Sequence, residues 1–317
     1  MRVDRFLQSH FTGAPYSFLH RLLRTGQVRV NGRRAQGGVR LQEGDSVRLP
    51  PVAWQPPVQE SVKPLHPPDG MVRTLRERIL WRDETLLVLN KSSGMAVHAG
   101  SGEAWGAVDA MRRLFEWEES ALRPELCHRL DKDTSGCLLF ALTPFALRGM
   151  AEAFRAGQVE KRYLALVRGR LAEDEGVIDR PLSKGIMRGG ERMVVSSTHG
   201  AAAVTRYQVR QRFANATLLE LVLESGRTHQ IRVHCQSIGH PVAGDRKYGD
   251  AAFDARMGKI GLHRLFLHAW QLSFRHPHSG AWMTVEAPLE DRLHQVLDQL
   301  SAATSRKVVA DRARPMS

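Results

Sequence analysis

One carboxylate in this sequence lies between two cations. Asp131 follows Arg129 and precedes Lys132, and this positive charge favours the ionised form of its carboxyl group. Residues 134–136 have the composition of a turn, and the apolar run from Cys137 to Leu142 predicts a buried strand. We therefore expect an ionised aspartate beside a tight turn, able to act as a nucleophile or a base. Taken alone, the same residues also fit a surface turn with an ordinary ion pair.

Two further segments place polar side chains where a core does not require them. Tyr163 follows the cations Lys161 and Arg162, and Arg227 precedes a segment with helical spacing. An aspartate, a tyrosine and an arginine brought together would supply an acid–base group, a phenol able to stack or to carry a proton, and a guanidinium to orient the acid. We predict that Arg227 points its guanidinium at Asp131.

The segment after Arg227 predicts a helix. Thr228 is expected to cap its amino end, and Gly239, with Pro241 beyond it, to end it. The apolar positions recur at i, i+4 and i+7 and are expected to face the core; they are Ile231, Cys235 and Ile238.

The other elements mix strands and helices irregularly. Predicted strands include Leu86–Lys91, Val159–Val167, Thr205–Val209 and Ala216–Leu223. Because strand and helix patterns do not alternate strictly, an α+β fold with a mixed or antiparallel sheet and packed helices is favoured over a Rossmann or barrel fold.

Composition and charge limit the function classes. The chain has 317 residues, 42% of them hydrophobic, and a formal net charge of +13. Most of its cations are arginines, which suit planar, bidentate contact with phosphates, so the favoured partner is a nucleic acid, and a membrane surface is the weaker alternative. The first residues lack the apolar core of a secretion signal. The sequence also has no run of about 18 apolar residues that could span a membrane. The three cysteines have no zinc-site spacing, so we expect plain thiols, no metal and a cytoplasmic location.

The sequence divides into four parts. Residues 1–50 hold nine arginines against three acids, residues 51–70 form a proline-rich linker, residues 71–300 form the main domain, and residues 301–317 are expected to be a disordered tail. Two short helices and an Asn31-Gly32 hairpin are predicted in the first part. Its segment Gly26-Gln27-Val28-Arg29-Val30-Asn31-Gly32 resembles the small RNA-binding S-four domain. The expected RNA contacts of this part are Arg21, Arg24, Arg29, Arg33 and Arg34.

Three motifs in one order resemble the signatures of the RluA-type pseudouridine synthases. They are HRLDKDTSGCLLFA at 128–141, KRYLALV at 161–167 and GRTHQIRVH at 226–234. The resemblance spans residues 72–295. It implies isomerisation of uridine to pseudouridine in RNA, on a nucleotide flipped out of the RNA, without metal or organic cofactor.

The resemblance also implies roles for individual residues. Asp131 is the essential catalytic aspartate, Tyr163 packs on the base or takes its carbon-5 proton, and Arg227 pairs with the aspartate. Arg129 fills the gap left by the flipped base or contacts phosphate. The remaining expected substrate contacts are His128, Thr134 and Ile231. Ser92 departs from the proline that this family usually has after Asn-Lys, which loosens the turn.

Other interpretations stay open at the level of sequence. Large-subunit ribosomal RNA is the favoured substrate and transfer RNA the second choice; the default oligomeric state is a monomer. A non-enzymatic RNA-binding or ribosome-assembly protein would carry the same charge. A glycoside hydrolase with Asp131 and Asp133 as paired acids is disfavoured, because two residues so close on a turn face different ways.

Overall fold

A computed structural model describes residues 1–11, 14, 16–50, 66–99, 104–188 and 191–312. The chain forms two compact units, Met1–Pro64 and Leu65–Ser317. Most of the predicted proline-rich linker, residues 51–65, lies outside the described residues.

The first unit packs two helices on a small antiparallel sheet. Its elements are α1 (Val3–His10), α2 (Tyr16–Arg24), β1 (Arg29–Val30), β2 (Arg33–Arg34) and β3 (Val47–Arg48), with strand order β2-β1-β3. Asn31 and Gly32 both have positive φ, 51° and 77°, as a two-residue hairpin of type I′ requires. The two helices and the hairpin are thus formed as predicted. The core of this unit comprises Val3, Leu7, Phe11, Leu19, Leu22, Leu23, Val28 and Ala35.

The second unit is built on one large mixed sheet. Its strands are β4 (Ile79–Arg82), β5 (Leu86–Lys91), β6 (Glu125–Leu126), β7 (Ser135–Ala141), β8 (Glu160–Arg168), β9 (Glu175–Asp179), β12 (Val204–Arg212), β13 (Ala216–Leu223), β14 (Leu267–Arg275) and β15 (Trp282–Glu286); β10 (Leu182–Arg188) and β11 (Glu191–Ser196) form a separate hairpin. The order is β4-β5-β7-β14-β8-β13-β12-β9, with β15 on β14 and β6 on β7. β7 and β14 pair in parallel and the other pairs are antiparallel, which confirms the predicted mixed sheet.

Helices cover both faces of this sheet. They are α3 (Asp69–Glu77), α4 (Ala107–Trp117), α5 (Pro144–Arg155), α6 (Gln230–Ser237), α7 (Ala251–Lys259) and α8 (Asp291–Arg312). Side chains of α3 and α4 pack with one face, and those of α5 pack with the other. β5 and β7 are therefore buried on both sides, which explains why their sequences are almost continuously apolar. None of the helices in the described ranges is long and apolar enough to cross a bilayer.

The structure moves two predicted boundaries. α3 begins at Asp69, so the last two residues of the predicted linker are helical. The prediction of a disordered tail is wrong for residues 301–312, because these residues continue α8. Two hydrogen bonds hold this part of the helix: Gln211 Nε2 donates to Ser301 Oγ at 3.0 Å, and the Ala214 amide donates to Thr304 Oγ1 at 3.1 Å.

Candidate active site

The central carboxylate lies in a tight turn that leads into β7. The Thr134 amide donates to the Asp131 carbonyl at 3.2 Å, which closes the turn. β7 begins at Ser135, so the predicted turn at 134–136 ends earlier than expected. Gly136 has φ of 109°, and a Cβ there would lie 2.2 Å from the Ala269 carbonyl oxygen of β14. The parallel pairing of β7 with β14 thus fixes the chain just after the aspartate.

Six of the predicted site residues line one cavity beside this turn. They are Arg129, Asp131, Thr134, Tyr163, Arg227 and Ile231. β8 supplies Tyr163, and the loop before α6 supplies Arg227. Segments far apart in the sequence are therefore brought to one place, as the motifs predicted.

The guanidinium nearest the aspartate is not the predicted one. Arg232 Nη1 lies 3.6 Å from Asp131 Oδ2, whereas Arg227 is exposed and its Nε donates to the Ala202 carbonyl at 3.3 Å. The predicted contact between Arg227 and Asp131 is therefore wrong. Arg232 lies inside α6, where its side chain reaches the turn, while Arg227 precedes the helix.

A second carboxylate fixes this guanidinium. Arg232 Nε and Nη2 each donate to Asp245 at 2.7 Å, in a bidentate pair that is almost fully buried. Burial alone would raise the pKa of Asp245, but the hydrogen bonds and charge of Arg232 lower it overall. The Arg232 guanidinium also lies 5.1 Å from the centre of the Tyr248 ring. A rigid cation is thus held beside Asp131.

A histidine reaches the same carboxylate from another direction. The Val194 amide donates to the Tyr248 hydroxyl, and His229 Nδ1 shares a hydrogen bond with the same hydroxyl at 2.9 Å. The other ring nitrogen of His229, Nε2, lies 4.0 Å from Asp131 Oδ2. Burial lowers the pKa of His229, although Asp131 opposes the shift, so the imidazole is neutral near pH 7.

The start of α6 differs from the prediction. His229, not Thr228, occupies the N-cap position, with a left-handed φ of 56° and without a side-chain capping bond. Gln230, the first residue of the helix, instead ties down the preceding loop: its Oε1 accepts from the Arg227 amide at 3.0 Å. The positive φ aims the imidazole at the aspartate, and a helical spacing rule does not anticipate it. Ile231 and Cys235 are buried and Ile238 is partly buried against the same core, as predicted.

Tyr163 lies against the cavity with 7% of its surface exposed. Burial, followed by the Asp131 charge, raises the pKa of its phenol. The hydroxyl therefore keeps its proton at neutral pH, which favours the packing role of Tyr163 over that of a base.

His128 does not face this cavity. Its Nε2 accepts from the Leu139 amide at 3.0 Å, and its ring stacks on Phe154 with centroids 5.0 Å apart. Burial lowers the pKa of His128 to about 4, so it is neutral. The expected substrate contact by His128 is therefore replaced by a structural role beneath β7.

A buried cation lies behind the turn, and the sequence motifs did not predict it. Lys91 is fully buried at the end of β5, and its Nζ donates to the carbonyls of Ser92, Met95 and Lys132 at 2.8–3.0 Å. Burial lowers its pKa to about 7, with Asp133 and Asp131 opposing. The signal was a lysine at the end of an apolar strand. Lys91 thus joins the loop of Ser92 and Met95 to the loop of Lys132. These hydrogen bonds hold the backbone at Ser92, where the family usually has a proline.

The predicted RNA contacts of the first unit are all solvent-exposed on its surface. They are Arg21, Arg24, Arg29, Arg33 and Arg34. Three of them lie on the β1–β2 hairpin, and Arg21 stacks on Phe18 at 5.4 Å. All five guanidinium groups are therefore open to solvent.

Comparisons with known proteins identify the family of this chain. Residues 85–237 match the family model described as RNA pseudouridylate synthase. The chain is 45% identical over 95% of its length to ribosomal large subunit pseudouridine synthase C of Escherichia coli O157:H7, covering 93% of that protein. It is 44% identical to the protein of the same name from Haemophilus ducreyi, with 95% of this chain and 92% of that protein covered.

Solved structures give the same result. Human RNA pseudouridylate synthase domain containing 4 superposes with a TM-score of 0.62 at 29% identity, over 73% of this chain and 96% of that one. Human RNA pseudouridylate synthase domain containing 1 superposes with a TM-score of 0.58 at 26% identity, over 80% of this chain and 100% of that one. The motifs, the mixed sheet, the cavity and these relatives lead to one conclusion: the chain belongs to the RNA pseudouridylate synthase family.

Proposed function

We propose that this protein isomerises specific uridines of large-subunit ribosomal RNA to pseudouridine. The observation that carries the proposal is the Asp131 carboxylate, which lines a cavity with Tyr163 and is flanked by Arg232 and His229. The curated relatives with 44–45% identity are named for the large ribosomal subunit, which supports that substrate over transfer RNA.

The reaction needs a base removed from its stack and turned over. The bond from ribose C1′ to N1 breaks, N1 gains a proton, a bond from C1′ to C5 forms, and C5 loses its proton. Asp131 acts at the sugar, and the fixed charge of Arg232 lies 3.6 Å from its carboxylate. Tyr163 packs on the extruded base, and the exposed Arg129 is placed to fill the gap or contact phosphate. Thr134, Ile231 and Arg227 complete the lining.

The first unit is proposed to bind RNA through its exposed arginines, as an S-four-like module. That role, the absence of a metal or cofactor, the monomeric state and the cytoplasmic location stay predictions.

Pseudouridine mapping tests the proposal. Ribosomal and transfer RNA from cells with and without this protein are compared at single-nucleotide resolution. We expect particular pseudouridines to disappear from large-subunit ribosomal RNA while transfer RNA is unchanged. Loss confined to transfer RNA would support the second substrate, and unchanged RNA would support a non-enzymatic binding protein.

A further inference from the structure

A second groove lies where β8 begins and β13 and β14 end. We call it the Trp282 groove; it encloses about 480 Å³, and its lining includes Lys161, Leu223, Arg275 and Trp282. Leu223 lines this groove and the catalytic cavity alike. The two are therefore neighbours on one surface, and Lys161 stands two residues before Tyr163 on β8.

Charge in this groove is positive once its ion pairs are considered. Its two acids already have arginine partners: Glu160 with Arg162, and Glu224 with Arg206, each at 2.5 Å. Among the described residues, neither Lys161 nor Arg275 has a carboxylate within 4 Å, and Arg275 Nη1 donates only to the Gly280 carbonyl at 3.2 Å. Burial lowers the pKa of Lys161, as expected for a partly enclosed cation without a counter-ion.

The aromatic side chain in the groove is unusually open. Trp282 is 53% exposed, and it pairs with Arg275 across β14 and β15. Proteins bind unpaired nucleotides with exposed aromatic side chains beside cations. Every base has a flat face that can stack on the aromatic ring, and every phosphate linkage carries a negative charge that a cation can bind. A docking site for protein would gain nothing from continuity with the catalytic cavity, whereas a nucleic-acid strand that delivers one nucleotide to that cavity must cross its rim.

We propose that the Trp282 groove binds an unpaired nucleotide of the RNA that neighbours the target uridine, with its base stacked on Trp282 and its phosphate beside Lys161 and Arg275. The identity of the ligand as RNA rests on the proposed function. The subsite would select target uridines that are flanked by single-stranded sequence. A flanking base pair would leave no free face for the indole.

Binding is tested on the full chain with two probes, a short single-stranded oligouridylate and a large-subunit ribosomal RNA transcript. Trp282→Ala is expected to weaken binding of both about tenfold, within the range measured when one aromatic side chain that stacks on a base is removed, and Trp282→Phe to restore most of it. Trp117→Ala is the matched control, since Trp117 is also exposed but lies on α4, and it should bind as the wild type does. Lys161→Met and Arg275→Gln should each make binding less dependent on salt.

Tryptophan emission gives a readout that requires no turnover. RNA should quench the wild type more than Trp282→Phe, because a stacked base quenches the indole. Equal quenching in both proteins, together with unchanged affinity of Trp282→Ala, would overturn the subsite. If the affinity and quenching effects appear but the wild type forms no pseudouridine in the transcript, the subsite stands and the proposed function fails.

Discussion

Asp131 owes its position to side chains that come from three other places in the sequence. Arg232 is fixed by Asp245, His229 by Tyr248, and the turn itself by Lys91 from behind. Each of these supporting side chains is buried or nearly so. The charged and polar groups around the Asp131 carboxylate are therefore held in place before substrate binds. Preorganisation of this kind makes the site sensitive to changes that preserve charge but alter geometry.

Arg232 and Arg227 are predicted to differ sharply when substituted. Arg232→Lys keeps a positive charge, which limits the penalty for burying Asp245, but loses the bidentate fork and should lower kcat about a hundredfold. Arg227→Ala removes an exposed side chain at the rim and should raise KM with kcat changed less than about threefold. Steady-state kinetics on ribosomal RNA separate the two. The assignment of Arg232 fails if Arg227→Ala produces the larger loss of kcat.

At the scale of elements, the joint between β7 and β14 carries the catalytic turn. His268 of β14 accepts from Ser135 of β7 through Nδ1 at 2.8 Å and donates from Nε2 to the Ala287 carbonyl at 3.0 Å. Arg264 Nη2 donates to the same Ser135 hydroxyl at 2.7 Å. This network requires a neutral imidazole, and burial lowers the pKa of His268 to about 4.

His268 should therefore make stability depend on pH. Its ordinary pKa is 6.5, so below that value the unfolded chain binds a proton that the native state does not bind until about pH 4. Stability is lost as pH falls through this window, by about 2 kcal/mol at pH 5. His268→Gln, which keeps a donor and an acceptor, should lose less stability between pH 7 and pH 5 in denaturant titrations. The exposed control His263→Gln should follow the wild type, and identical slopes in all three proteins would refute the role of His268.

The carboxyl-terminal helix is predicted to contribute to stability beyond residue 300. Removing residues 301–317 deletes the partners of Gln211 and Ala214 and should lower the free energy of unfolding by about 1–2 kcal/mol. A chain that ends at Arg312 is the control and should match the full chain. Equal stability of all three proteins would instead support an unstructured tail from residue 301 onward.

At the scale of the whole molecule, charge is concentrated in the first unit. Residues 1–64 include the exposed arginines at 21, 24, 29, 33 and 34. Deleting residues 1–64 should weaken RNA affinity and make it less dependent on salt. The slope of log affinity against log salt concentration should fall in magnitude by about 0.7–0.9 for each phosphate that loses its arginine partner. Filter binding over a range of salt concentrations measures this slope, and circular dichroism checks that the second unit stays folded. An unchanged slope would show that the first unit does not contact phosphate.

The sequence predicted the identity of the site better than the contacts within it. Strand periodicity located β5, β8 and β13, and motif order brought Asp131 and Tyr163 together. The error at Arg227 arose because proximity to a helix start is a local argument, while the direction of Arg232 depends on how α6 meets β7.

The remaining errors have the same origin. Local helix rules do not predict the left-handed backbone of His229, and its imidazole contacts the hydroxyl of Tyr248, a tertiary contact that the local sequence does not reveal. The helical residues 301–312 are mostly small or polar. The hydrogen bonds that Ser301 and Thr304 make with Gln211 on β12 and Ala214 in the loop after it are tertiary contacts, which no local propensity reveals.

The most direct test of the central claim is pseudouridine formation by purified Asp131→Asn on large-subunit ribosomal RNA. Asparagine keeps the size of the side chain and removes its charge, so RNA affinity should stay within about twofold while turnover falls by at least about a thousandfold. Pseudouridine formation by this variant at the wild-type rate would contradict the account.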